Sequence, residues 1–373
     1  MTKEYTSLGL MSGTSGDGVD ASIIISDGKS NYRTISDEYF KYDEEIYHNI
    51  HNLKEKINNK KDLEKNLKKM NELEKKITLF HAKVVQNLLK KTKVDLIGFH
   101  GQTIYHNSDE KISKQLGDGK LLSQLLNKTI VCNFRENDIK QGGEGAPLTP
   151  IFHQLILKQH KIDVPSCVLN IGGISNLTIV NNYDKYDFTS RDIGPGNCLI
   201  DSWVRKNSNK KFDEGGKLAS RGKVNEIILE QAQELYSNRS NKKTLSLDVN
   251  DFDISFARGL SLEDGTATLT DFTGHIIGAA LLNLLSNVKE KSFKVLICGG
   301  GRKNKSLINV IKKRTLTSTN LQSIDDYGID GDFVESQAFA FLAIRSFINE
   351  PISFPNTTGC FKPLSGGKII EIK

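Results

Sequence analysis

The sequence predicts an α/β fold of two related lobes, and three observations carry that expectation. Strand-length apolar runs alternate with helical periodicities along the whole chain. A Gly-rich hairpin stands near the start of each half. The length, 373 residues, suits two domains of ordinary size.

Taken in order, residues 7–11 form a short apolar strand that meets a Gly-rich turn, and a second strand, 19–26, follows at once. No helix intervenes, so the element is a β-hairpin. From about 52 to 91 the spacing predicts helix. Leu63, Leu67, Met70, Leu73, Ile77, Phe80, Val84 and Leu88 recur at three- and four-residue steps, with Lys and Glu on the solvated face. Asn58-Asn59-Lys60-Lys61 breaks that register and reads as a turn between helices. Residues 94–99 are a buried-type strand ending at His100-Gly101-Gln102-Thr103, and 129–133 are another. The Gly- and Pro-rich stretch 141–150 is the expected domain boundary. Strands 166–171 and 177–181 flank Gly172-Gly173 as a second hairpin. Helices at 224–236 and 271–288, a strand at 294–298 and an apolar helix at 332–349 follow, and about two dozen final residues read as tail. The expected first lobe is 1–140 plus about 340–373, and the second is 141–339.

Composition narrows the class. With 37% hydrophobic and 26% charged residues the chain is globular, not disordered. A net charge of +6 favours anionic ligands such as nucleotides but is too small for a nucleic-acid-binding surface. Cys132, Cys167, Cys198, Cys298 and Cys360 form no C-x-x-C pair, so neither a zinc site nor a disulfide framework is expected. The first residues hold no signal-like apolar stretch, and no window approaches the ~18 apolar residues of a membrane span. The expectation is a soluble, cytoplasmic protein with no membrane partner.

Three Gly-rich elements carry chemistry. Gly13-Thr14-Ser15-Gly16-Asp17-Gly18-Val19-Asp20 lies at a hairpin tip directly after a strand. Its glycines permit close backbone approach, and successive N–H groups with the Thr14 and Ser15 hydroxyls can surround phosphate oxygens. Asp17 and Asp20 are placed to hold Mg²⁺ through its water. The segment is not a Walker A loop, which would end in Gly-Lys-Ser/Thr, nor a dinucleotide fingerprint, which would open a helix. Asp192-Ile193-Gly194-Pro195-Gly196-Asn197 again sets a carboxylate beside N–H groups expected to be exposed. Gly299-Gly300-Gly301 closes an apolar strand, where backbone can lie flat against adenine. Each is weak singly; together they describe a nucleotide site with a phosphate hairpin from each lobe.

At this point the sequence resembles a family. Leu10-Met11-Ser12-Gly13-Thr14-Ser15 with Asp17-Gly18-Val19-Asp20 is similar to the opening signature of anhydro-N-acetylmuramic acid kinases. The similarity continues through residues 98–103 and 115–119, Phe134-Arg135 with Asp138, and residues 142–148 and 170–176. It runs on through residues 194–197, 267–270 and 298–301 with Asn304, then Gly331-Asp332 with Glu335, and Pro355 with Thr357-Thr358-Gly359. The resemblance implies a two-lobed actin/hexokinase-like (ribonuclease H-like) ATPase fold with ATP and Mg²⁺ in the interlobe cleft. It implies hydrolytic opening of a 1,6-anhydro sugar with phosphorylation at O6, in cell-wall recycling and amino-sugar catabolism, and a possible homodimer. By motif position Asp192 would be the general base that activates water. Arg135, Glu335 and His100 would lie near the sugar, although Arg135 could equally pair with an internal acid instead of the lactyl carboxylate, and for His100 and Gln102 a hydrogen-bonded strand-end network is at least as good a reading. A kinase for another sugar on the same fold, or a non-enzymatic actin-like switch, stays open here, since fold does not fix substrate. Two positions and one loop depart from the family pattern. Gly16 replaces a leucine and is expected to loosen the hairpin; Ile193 replaces a threonine and removes a hydroxyl near the phosphates. Lys243-Thr244-Leu245-Ser246-Leu247-Asp248 replaces a differently composed loop.

Overall fold

The structure is a computed structural model that describes residues 3–184, 186–239, 247, 252–285, 293–315 and 319–372. It is mixed α/β, with two sheets. The chain divides into two compact units. One takes in the residues up to Ile162, Tyr183–Ser190 and the residues from Asp332; the other comprises Asp163–Asn182 and Arg191–Gly331.

In the first unit the seven-stranded sheet runs in the order Lys368–Ile370, Thr129–Cys132, Leu96–Asn107, Tyr5–Ser12, Gly18–Ser26, Tyr32–Lys41, with Ile112–Leu116 paired to Leu96–Asn107. Tyr5–Ser12 and Gly18–Ser26 form the expected antiparallel hairpin, Met11 opposite Asp20. Tyr5–Ser12 also lies parallel to Leu96–Asn107, with Gly9 opposite Gly98. Those two glycines let the helix Val334–Phe347 lie flat on the sheet. A Cβ on Gly9 would come within 2.0 Å of the Ser336 carbonyl oxygen, and one on Gly98 within 2.4 Å of that of Phe339. Glu335 is thereby fixed in the helix's first turn, over the sheet.

The helical region begins earlier than the sequence predicts. Asp43 caps Glu44–Lys54 by accepting the Ile46 N–H at 2.8 Å, with Glu44 and Glu45 favourably placed in the first turn. Ile46, Ile50 and Leu53 face the core. The expected break falls between Lys54 and Lys60, and Leu67–Leu89 buries Met70, Leu73, Ile77, Val84 and Leu88 as read, while Leu67 is exposed.

Three further expectations are revised. The strand begun at Leu96 does not end at His100 but continues to Asn107, bent through Gly101 at φ +76°. The 141–150 stretch is no linker between units. The Asp138 carbonyl accepts the Gly143 N–H at 2.9 Å and its carboxylate the Gly145 N–H at 2.7 Å and the Thr358 hydroxyl at 2.6 Å, which ties the loop into the first unit. The division falls instead after Ile162 and before Asp332, which differs from the boundaries at 140 and 340. The last two dozen residues are not tail, because Lys368–Ile370 pairs antiparallel with Thr129–Cys132 and closes a sheet edge.

The five-stranded sheet runs in the order Thr319–Ser323, Phe293–Cys298, Ser166–Ile171, Ile174–Val180, Phe188–Pro195 and belongs to the second unit, except for Phe188–Ser190 of its last strand. The first three strands are parallel, and Ser166–Ile171 with Ile174–Val180 is the second expected hairpin. Cys167, Leu169, Ile171, Val295 and Ile297 pack against Ile277, Leu281, Leu307 and Ile311 as one core. All five cysteines are buried, and no disulfide joins them among the described residues.

Candidate functional site

The first hairpin is braced on its carbonyl side. Gly13 O accepts from Gly16 N at 3.1 Å and from Gln102 Nε2 at 2.9 Å, and Thr14 O accepts from Lys54 Nζ at 2.7 Å. Asp17 O accepts from Tyr42 N at 2.9 Å and from the Tyr39 hydroxyl at 3.1 Å. The N–H groups of Thr14, Ser15 and Asp17, by contrast, donate to nothing else among the described residues, and Thr14 and Ser15 are exposed. A turn whose Gly13, Thr14 and Asp17 carbonyls are engaged and whose N–H groups are open has the form of a backbone nest, which can receive an anion. Beneath it, the Tyr42 hydroxyl, Ser12 Oγ and His81 Nε2 form a buried chain with contacts of 2.8 and 3.4 Å.

The departure at Gly16 tightens the turn. Gly16 is buried at φ +62°, and a Cβ there would meet Ile50 Cγ2 at 2.8 Å. A leucine would displace the helix Glu44–Lys54; glycine both tolerates the left-handed backbone and admits Ile50. Gly18 is close-packed, its Cβ position 2.5 Å from the Phe40 carbonyl oxygen, whereas a Cβ on Gly13 would meet nothing nearer than Ser15 Oγ at 3.8 Å. Val19 is a buried core residue. Asp17 Oδ1 accepts from Ser15 Oγ at 2.5 Å. Burial, then the nearby Asp17 and Asp20 carboxylates, push the Tyr39 hydroxyl up, so both acids lie close to one phenol.

Arg135, His100 and Glu335 do come together in the first unit. Arg135 Nη1 donates to Gly145 O at 2.7 Å, and Nε and Nη2 donate to His100 Nε2 at 3.3 and 3.0 Å. His100 Nδ1 donates to Gly101 O at 2.8 Å, which leaves the lone pair on Nε2 for Arg135. Burial, helped by the Arg135 charge, pushes His100 down to about 3, so it is neutral. Both ring nitrogens are engaged, and His100 orients Arg135 instead of offering itself to a sugar. Burial pushes the partly exposed Glu335 carboxyl up, and the Arg135 guanidinium opposes that push.

In the second unit, Asn170 and Cys298 are register partners at the C-terminal ends of two parallel strands, where α/β sheets bind ligands. Gly299, at φ +77°, packs against Asn170 and Ile171, with Cβ distances of 2.4 and 2.7 Å, and Gly301 against Ile171 at 2.2 Å. Only Gly300 has open space. Arg302 fixes the loop: Nη1 donates to Gly299 O at 3.2 Å, while Nε and Nη2 grip Asp325 at 2.6 and 2.9 Å and hold its carboxyl far below the usual range. The N–H groups of Gly196, Asn197 and Cys198 are not exposed as expected. They donate to Gly173 O, Gly172 O and Gly173 O at 2.8, 2.8 and 3.2 Å. Gly194 and Gly196 are close-packed against Ile276 and Gly172, so they join the two turns and do not open toward a ligand.

Asp192 sits on Phe188–Pro195, half-buried, and accepts the Leu247 N–H at 2.8 Å. Strand alternation sends the next side chain to the opposite face. Ile193 accordingly packs in the core with Cys167 and Leu169, which explains an apolar residue there. Of the altered loop, Lys243, Thr244, Leu245, Ser246 and Asp248 lie outside the described residues.

A family model for anhydro-N-acetylmuramic acid kinase matches residues 5–371. An anhydro-N-acetylmuramic acid kinase of Pelagibacter ubique is 57% identical over 373 residues, all of both chains. The chain belongs to the anhydro-N-acetylmuramic acid kinase family, whose members are phosphotransferases acting on a sugar hydroxyl. The kinases of Zymomonas mobilis and Agrobacterium fabrum are 36% and 35% identical, covering 97% and 100% of this chain and 98% and 100% of theirs. A ROK family glucokinase from Streptomyces griseus, in complex with glucose and AMPPNP, aligns over 90% of this chain and 98% of its own at 12% identity and a TM-score of 0.42. Among the described residues no helix of this kinase is long and apolar enough to cross a membrane.

Sequence reasoning, which singled out Gln102 only for a strand-end network or the sugar, missed the other residues that brace these turns: Lys54, Ile50, Tyr39 and Tyr42 for the first hairpin, and Arg302 for the Gly299–Gly301 loop. They come from distant stretches with no shared motif. Only the paired Arg302 and Asp325 charges left a weak signal.

Proposed function

We propose that this kinase uses ATP to convert 1,6-anhydro-N-acetylmuramic acid to N-acetylmuramic acid 6-phosphate and ADP. The observation that carries the reading is the full-length 57% identity to a kinase of that name. In the proposed reaction Asp192 takes a proton from water as the water oxygen bonds to the anomeric carbon. The C1–O6 bond breaks, and the freed O6 attacks the γ-phosphorus, expelling ADP; the proton on Asp192 then passes to solvent. An ionised carboxylate suits that base. In this reading Arg135, held by His100, takes the sugar's lactyl carboxylate, and Glu335 takes a hydroxyl. The Thr14, Ser15 and Asp17 N–H groups take the phosphates, and Gly300 lies by the adenine. Asp17 and Asp20 fit Mg²⁺ held through water and phosphate, since such sites need only one or two carboxylates. Bound there, Mg²⁺ would neutralise phosphate charge.

The test is ADP release on adding 1,6-anhydro-N-acetylmuramic acid, with N-acetylglucosamine and glucose as comparisons. Release with either comparison sugar but not with the anhydro sugar overturns the substrate. The stereochemistry follows. Water must approach opposite the departing O6, so the first product is the α anomer, with solvent oxygen at C1 and the old bridge oxygen at O6. Rapid proton NMR and a run in ¹⁸O-water read both; an initial β anomer removes Asp192 from its role.

The hairpin glycines separate ligand approach from packing. Gly13→Val should weaken ATP binding while the apo melting temperature stays within about 2 °C, because the Cβ position is open. Gly18→Val should instead cost about 1–3 kcal/mol of stability through overpacking on Phe40. Calorimetry and thermal melts of the two variants decide; a destabilised Gly13→Val protein with normal ATP affinity would make this turn structural.

A further inference from the structure

We propose that Gln102 and Lys54 are positioning residues that aim the phosphate-receiving N–H groups of the first hairpin; this rests on the reading that the hairpin takes the triphosphate. The argument is peptide planarity. In a trans peptide the C=O of one residue and the N–H of the next point in opposite directions in one rigid plane. The peptides of this turn are trans, the cis bonds lying at Ala146-Pro147 and Val164-Pro165. Gln102 Nε2 pins the Gly13 carbonyl at 2.9 Å, and so fixes the direction of the Thr14 N–H. Lys54 Nζ pins the Thr14 carbonyl at 2.7 Å, and so fixes the direction of the Ser15 N–H. These two N–H groups donate to nothing else among the described residues.

Each brace comes from rigid structure. Gln102 is fully buried on the strand Leu96–Asn107 beside Ser12, its register partner. Lys54 ends the helix Glu44–Lys54 one turn after Ile50, and residues four apart share a helix face. Ile50 occupies the space that Gly16 leaves open, so the same face that packs on the turn delivers the ammonium to Thr14. The glycine at 16 and the lysine at 54 therefore work together: without the first, the helix could not come close enough for the second to reach. Gln102 Oε1 is buried with no partner among the described residues. A buried amide oxygen left unpaired is costly, which marks Gln102 as held by its donor side and not selected for core stability.

The experiment measures binding of a non-hydrolysable ATP analogue and of AMP, which lacks the β and γ phosphates, to Lys54→Met, Lys54→Arg and Gln102→Met proteins at low and high salt, with Gly13→Val as reference. Losing one aimed donor should weaken the ATP analogue about five- to tenfold. AMP affinity and melting temperature should hardly change, Lys54→Arg should recover most of the loss, and the loss should persist at high salt. A loss for Lys54→Met that vanishes at high salt would make Lys54 a screened phosphate charge and overturn its positioning role. Unchanged affinity in all three variants with a weakened Gly13→Val protein overturns the proposal and leaves the hairpin reading standing. Unchanged affinity in Gly13→Val as well overturns both. Should Gln102→Met fold poorly, the surface change at Lys54 decides alone.

Discussion

Asp192→Asn should lower turnover by about 10²–10⁴-fold, the usual loss on removing a general base. Asparagine keeps the shape, and its side-chain oxygen can still accept the Leu247 N–H that Asp192 holds at 2.8 Å. ATP-analogue affinity should therefore stay within a few-fold and the melting temperature should barely move. The split matters because Ile193, the next residue, packs in the core of the second unit, so a disruptive change at this strand would lower both activity and stability. Initial rates of ADP release with the anhydro sugar, set beside calorimetry with the ATP analogue, measure both. Near-normal turnover in Asp192→Asn would remove the base from this position. Loss of turnover together with a large drop in melting temperature would mean that Asp192 serves the strand and the loop at Leu247.

Both hairpins were legible because each combines apolar alternation with a glycine turn, a local signal that needs no partner. The helix start at Glu44 was legible in principle, since Asp43-Glu44-Glu45 is an N-cap with an acidic first turn, but the charged run after it drew the boundary later. The strand Lys368–Ile370 was not legible, because three residues carry no period and its pairing with Thr129–Cys132 is a long-range event. The Gly-rich 141–150 stretch has the composition of a linker, and only the bonds to Asp138 reveal a fixed loop. For the site, sequence reading treated every motif glycine alike. Packing sorts them: Gly18, Gly196, Gly299 and Gly301 are glycines because backbone or side chain lies against them, while Gly13 and Gly300 have open space. The pairing of Arg135 with His100 joins a residue just after the strand Thr129–Cys132 to one inside Leu96–Asn107, and nothing in either local sequence announces it.

The fold should fail steeply in mild acid, and the cause lies in four histidines of the first unit. Burial pushes His81 down to about 4 and His100, His106 and His153 down to about 3. The Arg135 charge adds to the push on His100 and His106. A group whose folded value is depressed takes its proton only after unfolding, so its contribution is intact above the unfolded value of about 6.5 and is lost as pH falls toward 3. Each unfolded-only proton makes stability fall by about 1.4 kcal/mol per pH unit, so four give a slope on the order of 5 kcal/mol per pH unit between about pH 6 and pH 4. Total stability of a domain is about 5–15 kcal/mol, so the first unit should unfold cooperatively around pH 5, well before most carboxylates protonate. His100 links this to the site: once protonated, Nε2 has no lone pair for Arg135, and two cations would face each other at 3.0 Å. Urea unfolding at stepped pH, followed by hydrogen exchange in Leu96–Asn107 and Pro150–Gln159, measures the slope. His153→Leu should flatten it by about one proton and move the acid midpoint down. A slope worth less than one proton between pH 6 and pH 4 would mean that these histidines are solvated before the chain unfolds.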